Sequence, residues 1–347
     1  MYKIFDGHND LLLRLWLKNS ASAVSDFIDG EDEGQLDLPR MHDGGFMGGL
    51  FAVFVPSHVD SGVLHRNLNP PPYPPVDFNA AQRPAWEMID LFDRLVREVP
   101  GKGFRHCLSV SDIRSAQSDG AIAAVLHMEG AETIGAGLEG LDELYARGLR
   151  SLGPVWSRPN HFAEGVPFAW PSSPDTGPGL TAAGKALIKA CNSKRILIDL
   201  SHLNEKGFWD VAGLITAPLV ASHSNVHALS PSSRNLTDEQ LRAIGKSGGI
   251  VGFNFAVDFL QDDGRLNSAI SPHVVVKHLR HMVEVAGEDC VGIGSDLDGA
   301  TIPEFINDVS GLPKLVAAMV EAGFGDELIT KITRENWLRV LKATWGH

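Results

Sequence analysis

Residues 195–224 read "RILIDLSHLNEKGFWDVAGLITAPLVASHS". Two apolar runs, "RILIDLSH" and "PLVASHS", bracket a polar, Gly-containing stretch with helical spacing. Both runs are apolar at successive positions rather than at alternate ones, as strands of a parallel sheet covered on both faces must be. Strand, helix and second strand of this kind make one right-handed crossover unit.

The unit recurs along the chain. The further runs "YKIFDGH", "GGLFAVFV", "AIAAVLHME", "RSLGPVW", "GGIVGFNF" and "CVGIGSDLD" bring the count to about eight, the number that closes a barrel. The intervening segments carry helix punctuation. In "PAWEMIDLFDRLVREVP", Trp86, Ile89, Leu91, Phe92, Leu95 and Val96 mark one helical face. Thr237 with Gln240 forms a capping box, with Gly248 near the stop. Ser271 reads as an N-cap, Pro272 as the first helical residue and Gly287 as the stop. The expected fold is α/β, a (β/α)8 TIM barrel forming one domain over residues 1–347. Three long connections rich in Pro and Gly, 56–81, 156–179 and 256–270, each follow a strand and read as pocket walls over the C-terminal face. Within the first, "NPPPYPP" also suits a stiff surface elbow.

A formal charge of -13 argues against nucleic acid or an anionic membrane as partner and in favour of small-molecule chemistry. Cys107, Cys191 and Cys290 are scattered without a C-x-x-C spacing, as core residues of a reduced compartment are. The N-terminus lacks the basic-then-apolar order of a signal peptide, and no apolar run reaches the roughly 20 residues of a membrane span. A cytoplasmic protein is expected; self-association into a homo-oligomer stays open.

The chemistry gathers at the strand ends. In "FDGHNDLLLR", Phe5–Arg14, a histidine and a carboxylate two apart in an extended segment point to the same side. Taken alone, such a pair reads as a polar turn and a lone buried histidine as a core residue. Here five runs end in a metal-competent or ionisable group: His8 with Asp10, Glu129, His202, His223 and Asp296. Five such endings at one mouth of a barrel make a site. Imidazoles and carboxylates without thiolates suit zinc or a similar divalent ion. With His8 and Asp10 on one side, His202 and His223 on the other, and Glu129 able to bridge, the pattern is binuclear. Two ions can share a hydroxide and polarise a carbonyl, which points to hydrolysis of an amide or ester.

"DGHND", "HMEGAE", "IDLSH", "ASHSN" followed by "SRN", and "GIGSDLDG" resemble, in order, the signatures of the renal (membrane) dipeptidase family, the M19 metallopeptidases of the amidohydrolase superfamily. The resemblance spans nearly the whole chain. It implies the same barrel with two Zn²⁺ ions, one held by His8, Asp10 and Glu129, the other by Glu129, His202 and His223, and it implies cleavage of dipeptides into amino acids. It further implies that Asp296 handles the proton of the bridging water and faces the substrate amine, and that Arg234 receives the dipeptide's C-terminal carboxylate.

The chain departs from the mammalian pattern at one point. A histidine that in those relatives contacts the scissile carbonyl is replaced, in "SLGPVWSRPNHFAEG", by Pro154. Either metal alone holds the oxyanion, or His161, Arg158 or Asn160 swings in from the long loop. Two readings compete with a dipeptidase: a related enzyme for another small amide, such as an acylated amino acid or a β-lactam-like ring, and a metal-binding scaffold without catalysis. A scaffold has no use for Asp296 and Arg234.

Overall fold

A computed structural model describes residues 2–57 and 72–346. Among them run the parallel strands β1 (Ile4–Asn9), β2 (Phe46–Phe54), β3 (Phe104–His106), β4 (Ile122–Glu129), β5 (Leu149–Gly153), β6 (Leu197–Ile198), β7 (Val220–Ser224), β8 (Ile250–Phe253) and β9 (Val291–Ile293). Their order is β6-β5-β4-β2-β1-β9-β8-β7, and a parallel bridge from Asp199 to Val220 brings the two outermost strands together. Eight parallel strands thus form a nearly closed barrel, the expected (β/α)8 architecture. The short β3 stands outside it, paired only with β4.

Helices cover the barrel where the punctuation placed them. Thr237 Oγ1 accepts from the Gln240 N–H and Gln240 Oε1 from the Thr237 N–H, completing the capping box of the helix Asp238–Lys246. Ser271 caps Pro272–Ala286, which ends at Gly287. The helix Phe78–Glu98 starts before Pro84, with Asp77 as its cap. It buries Ala81, Ala85, Met88, Ile89, Phe92 and Leu95, whereas Trp86, Leu91 and Val96 are only partly buried. Cys107, Cys191 and Cys290 are free and buried. Among the described residues no helix is long and apolar enough to cross a membrane.

The bottom of the barrel is closed by the helix Asn336–Trp345. Its Trp337, Leu338, Leu341 and Trp345 cluster with Phe5, Ala123, Val125, Leu197, Val220 and Ile250 from the strands. Trp337 is fully buried and donates its indole N–H to the Ile293 carbonyl at 2.8 Å. Gly7 and Gly292 make room for the ring, since a β-carbon on either would run into it. Trp337→Ala should therefore cost about 3–5 kcal/mol, seen as a lower urea midpoint. A loss below about 1 kcal/mol would mean that the bottom is sealed by something else.

The long connections lie over the opposite mouth. The loop after β5 brings Trp156 and Phe168 there, and the segment after β8 brings Ala256 and Phe259. Of the connection 56–81, residues 58–71, and with them most of the expected wall and the start of "NPPPYPP", lie outside the described residues. Tyr73 from its described part packs on Trp156 at 4.9 Å and Phe168 at 6.0 Å between ring centroids.

Candidate functional site

The strand ends converge. His8 lies in β1 and Asp10 just beyond it, Glu129 closes β4, His223 lies in β7, His202 four residues past β6 and Asp296 three past β9. Glu129 Oε1 is 2.8 Å from His202 Nε2, 3.4 Å from His223 Nε2 and 3.6 Å from His8 Nε2. His8 Nε2 is 3.4 Å from Asp10 Oδ2, and the His8 and His223 rings stack with centroids 3.8 Å apart. Three sets could each hold a cation, their donor atoms within 4.8 Å of one another: His8, Asp10 and Glu129; Glu129, His202 and His223; His8, His223 and Asp296.

Neighbouring hydroxyls set the ring orientations. His202 Nδ1 meets Ser157 Oγ at 2.8 Å, and His223 Nδ1 meets Ser222 Oγ at 2.7 Å. Ser222 Oγ donates to Asp199 Oδ2 at 2.6 Å, so it accepts the His223 Nδ1 proton. His223 is thereby held with its lone pair on Nε2, and the Arg234 Nη2 donor 3.2 Å from His202 Nε2 gives His202 the same tautomer, the one a metal ligand needs. Burial pushes the His202 and His223 pKa values well down, and nearby Arg234 and His8 push the same way. Burial raises Glu129 well above the carboxylate range, with Asp10 and Asp296 adding to the rise. Burial would also lower His8, but Glu129, Asp10 and Asp296 outweigh it and raise it to about 10. The upward shifts of His8 and Glu129 share one cause, the crowding of three carboxylates, which favours a cation among them.

The residues fit divalent cations. Both ring nitrogens of His8 and Asp10 Oδ1 are buried without a hydrogen-bond partner, and His202 Nε2 and His223 Nε2 face each other at 3.0 Å. Such unpartnered atoms beside converging lone pairs are costly unless a cation or a proton sits among them.

The cluster forms the floor of an open pocket of about 480 Å³, lined also by Leu13, Phe54, Trp156, Phe168, Phe259 and Ala300. Arg234 reaches it from below Phe259, its guanidinium carbon 5.5 Å from that ring's centroid. Nη1 donates to the Ser201 carbonyl and to Ser224 Oγ (3.2 Å), and Nη2 to the His223 carbonyl (3.1 Å) and to His202 Nε2 (3.2 Å), while Nε has no partner. Asp296 faces the pocket and accepts from Asn254 Nδ2 at 2.9 Å. Its neighbour Asp298 is engaged by Arg14 (2.8 Å) and by the Gln35 N–H (2.6 Å), which leaves Asp296 as the acid turned to the pocket.

The three loop candidates lie away from the pocket in this structure, which leaves the alternative that metal alone holds the oxyanion. Arg158 is buried behind the wall, ion-paired to Glu132 at 2.8 Å and bonded to the Val55 carbonyl. Asn160 folds its own loop, bonding the Pro154 carbonyl and the Phe162 N–H, and that turn throws His161 to the surface. From this segment the pocket receives Trp156, and Ser157 orients His202. Sequence reasoning also missed Asn254, although it carries the signal that exposed the others, a polar side chain closing the apolar run "GGIVGFNF".

A model of the membrane dipeptidase family, peptidase family M19, matches residues 1–345. Dipeptidase AC, a metallopeptidase of family M19, is 49% identical and superposes with a TM-score of 0.95 over 100% of this chain and 99% of its own. A metallopeptidase from Rhodobacter sphaeroides, liganded with a phosphinate mimic of the dipeptide L-Ala-D-Ala, shows 49% identity and a TM-score of 0.95 over 99% of both chains. An uncharacterised protein from the pqqA 5′ region of Klebsiella pneumoniae is 46% identical over 260 residues, 75% of this chain and 96% of that protein. On these likenesses the chain belongs to the membrane dipeptidase family, peptidase family M19, and is a metal-dependent hydrolase of peptide bonds.

Proposed function

We propose that the protein is a dizinc dipeptidase that cleaves dipeptides into free amino acids. The observation that carries this reading is that the ligand cluster, the free face of Asp296 and the Arg234 guanidinium all border one small pocket. His8 and Asp10 would hold one ion, His202 and His223 the other, with Glu129 shared between them. When bound, the ions supply Lewis-acid polarisation of a carbonyl and a hydroxide nucleophile at neutral pH.

The chain's own residues do the rest. Arg234 receives the terminal carboxylate, for which a forked cation has the right geometry. That fixes the distance from the substrate's end to the bond cut and restricts substrates to dipeptides. Asp296 takes a proton from the attacking water and returns it to the departing amine, which is too basic to leave as an anion. The walls of Phe54, Trp156, Phe168 and Phe259 keep bulk water from the bond.

Elemental analysis after zinc reconstitution should find about two ions per chain. Because Glu129 faces both sites, Glu129→Gln should weaken both together, whereas His8→Ala should mainly empty one. Loss of a single ion from Glu129→Gln, with the other still tight, would refute the shared role. Turnover of a library of L,L and L,D dipeptides, beside N-acylated amino acids lacking a free amine, tests the substrate class. Preference for the acylated compounds would favour the reading as a different amidohydrolase.

A further inference from the structure

We propose that Asn254 is a positioning residue which fixes the orientation of the Asp296 carboxylate towards the pocket. This rests on the reading of Asp296 as the proton carrier. Asn254 directly follows β8 and is fully buried. Its Oδ1 accepts the backbone N–H of Ala256 at 2.6 Å, a group that can only donate. The amide orientation is therefore set, and Nδ2 is the atom presented to Asp296 Oδ2 at 2.9 Å. The Asn254 backbone is pinned in turn by a reciprocal pair. Its N–H donates to Asn225 Oδ1 at 3.2 Å, and its carbonyl accepts from Asn225 Nδ2 at 2.9 Å, two residues past His223. Three strand ends are thus joined by a chain of amides that leads to one carboxylate.

Asp296 needs such a restraint. Its φ is 60°, in the left-handed region that non-glycine residues avoid, and its N–H is tied to the His8 carbonyl at 3.0 Å. Oδ2 is occupied by the amide donor, which holds the carboxylate in one rotation and leaves Oδ1 as the oxygen turned away from Asn254. Oδ1 borders the pocket at Gly299, where a β-carbon would lie 2.7 Å from it and also collide with Asp10. The chemistry balances on that single oxygen. Oδ1 accepts a proton as the water oxygen bonds to the carbonyl carbon, then gives it to the amine nitrogen as the C–N bond breaks, and the carboxylate ends as it began.

The test is a double-mutant cycle on the zinc-loaded enzyme. Asn254→Ala should lower kcat roughly 10–100-fold with KM and bound zinc nearly unchanged. In an Asp296→Asn background the same change should alter kcat by less than about twofold, since a residue acting only through Asp296 has nothing left to position. Asn254→Asp is a near-isosteric second variant that keeps an acceptor for the Ala256 N–H but removes the donor to Asp296. It should lose kcat to a similar degree, so a failure of the alanine variant to fold does not rescue the proposal. Equal losses in both backgrounds, loss of zinc, or near-parental kcat in Asn254→Asp would overturn it. Near-parental turnover by Asp296→Asn alone would instead refute the proton-carrier reading, and that result is read before any Asn254 variant is made.

Discussion

Asp296→Asn should fold, bind its metals and lose roughly 10²–10⁴ in kcat, the range that general acid–base help supplies. The substitution keeps the shape of the side chain and removes only its capacity to take a proton. Nothing else described at the pocket is placed to replace it: Asp10 and Glu129 face the histidine cluster, Asp298 is engaged by Arg14 and Gln35, and His161 is on the surface. Near-normal zinc content and an unchanged melting temperature would separate a chemical defect from a structural one. Turnover of an L,L dipeptide within about threefold of the parent would move the shuttle to another group.

Arg234→Ala should lower kcat/KM for dipeptides by the equivalent of roughly 2–5 kcal/mol, as expected when one member of a desolvated, hydrogen-bonded charge pair is removed. An exposed pair would be worth at most about 1 kcal/mol, and Arg234 is 2% exposed. Part of the loss will be indirect, because the guanidinium also ties the Ser201 and His223 carbonyls together and touches the candidate ligand His202 at Nε2 (3.2 Å). Dipeptide amides provide the control. They share the indirect loss but have no carboxylate to forfeit, so they should suffer far less. Equal losses on acids and amides would remove Arg234 from substrate binding and leave it a prop of the histidines.

The barrel was legible because burial on both faces makes each strand apolar at successive positions, a pattern eight runs display and the three residues of β3 are too short to show. The cluster was legible for a related reason: a histidine or carboxylate closing an apolar run is out of place unless it has a task. Loop side chains obey no period. Whether Arg158, Asn160 or His161 reaches the pocket depends on an Asn160 turn and on Glu132, which lies 26 positions before Arg158. No spacing rule links those partners, so residue type alone pointed to the polar members of the loop and passed over Trp156.

The placement of β1 between β2 and β9 has a consequence for synthesis. His8 and Asp10 are made long before their neighbours: the strand that flanks them on one side, the acid that completes their pocket and the tryptophan that seals the barrel beneath them come more than 280 positions later. At roughly 5–20 residues per second, β1 waits about 15–60 s for that neighbour. A nascent chain on the ribosome therefore carries fragments of the ion-binding cluster on an open sheet edge, with no enclosed pocket to select among the cell's divalent ions. Selection belongs to the chain only once the helix Asn336–Trp345 has closed the base.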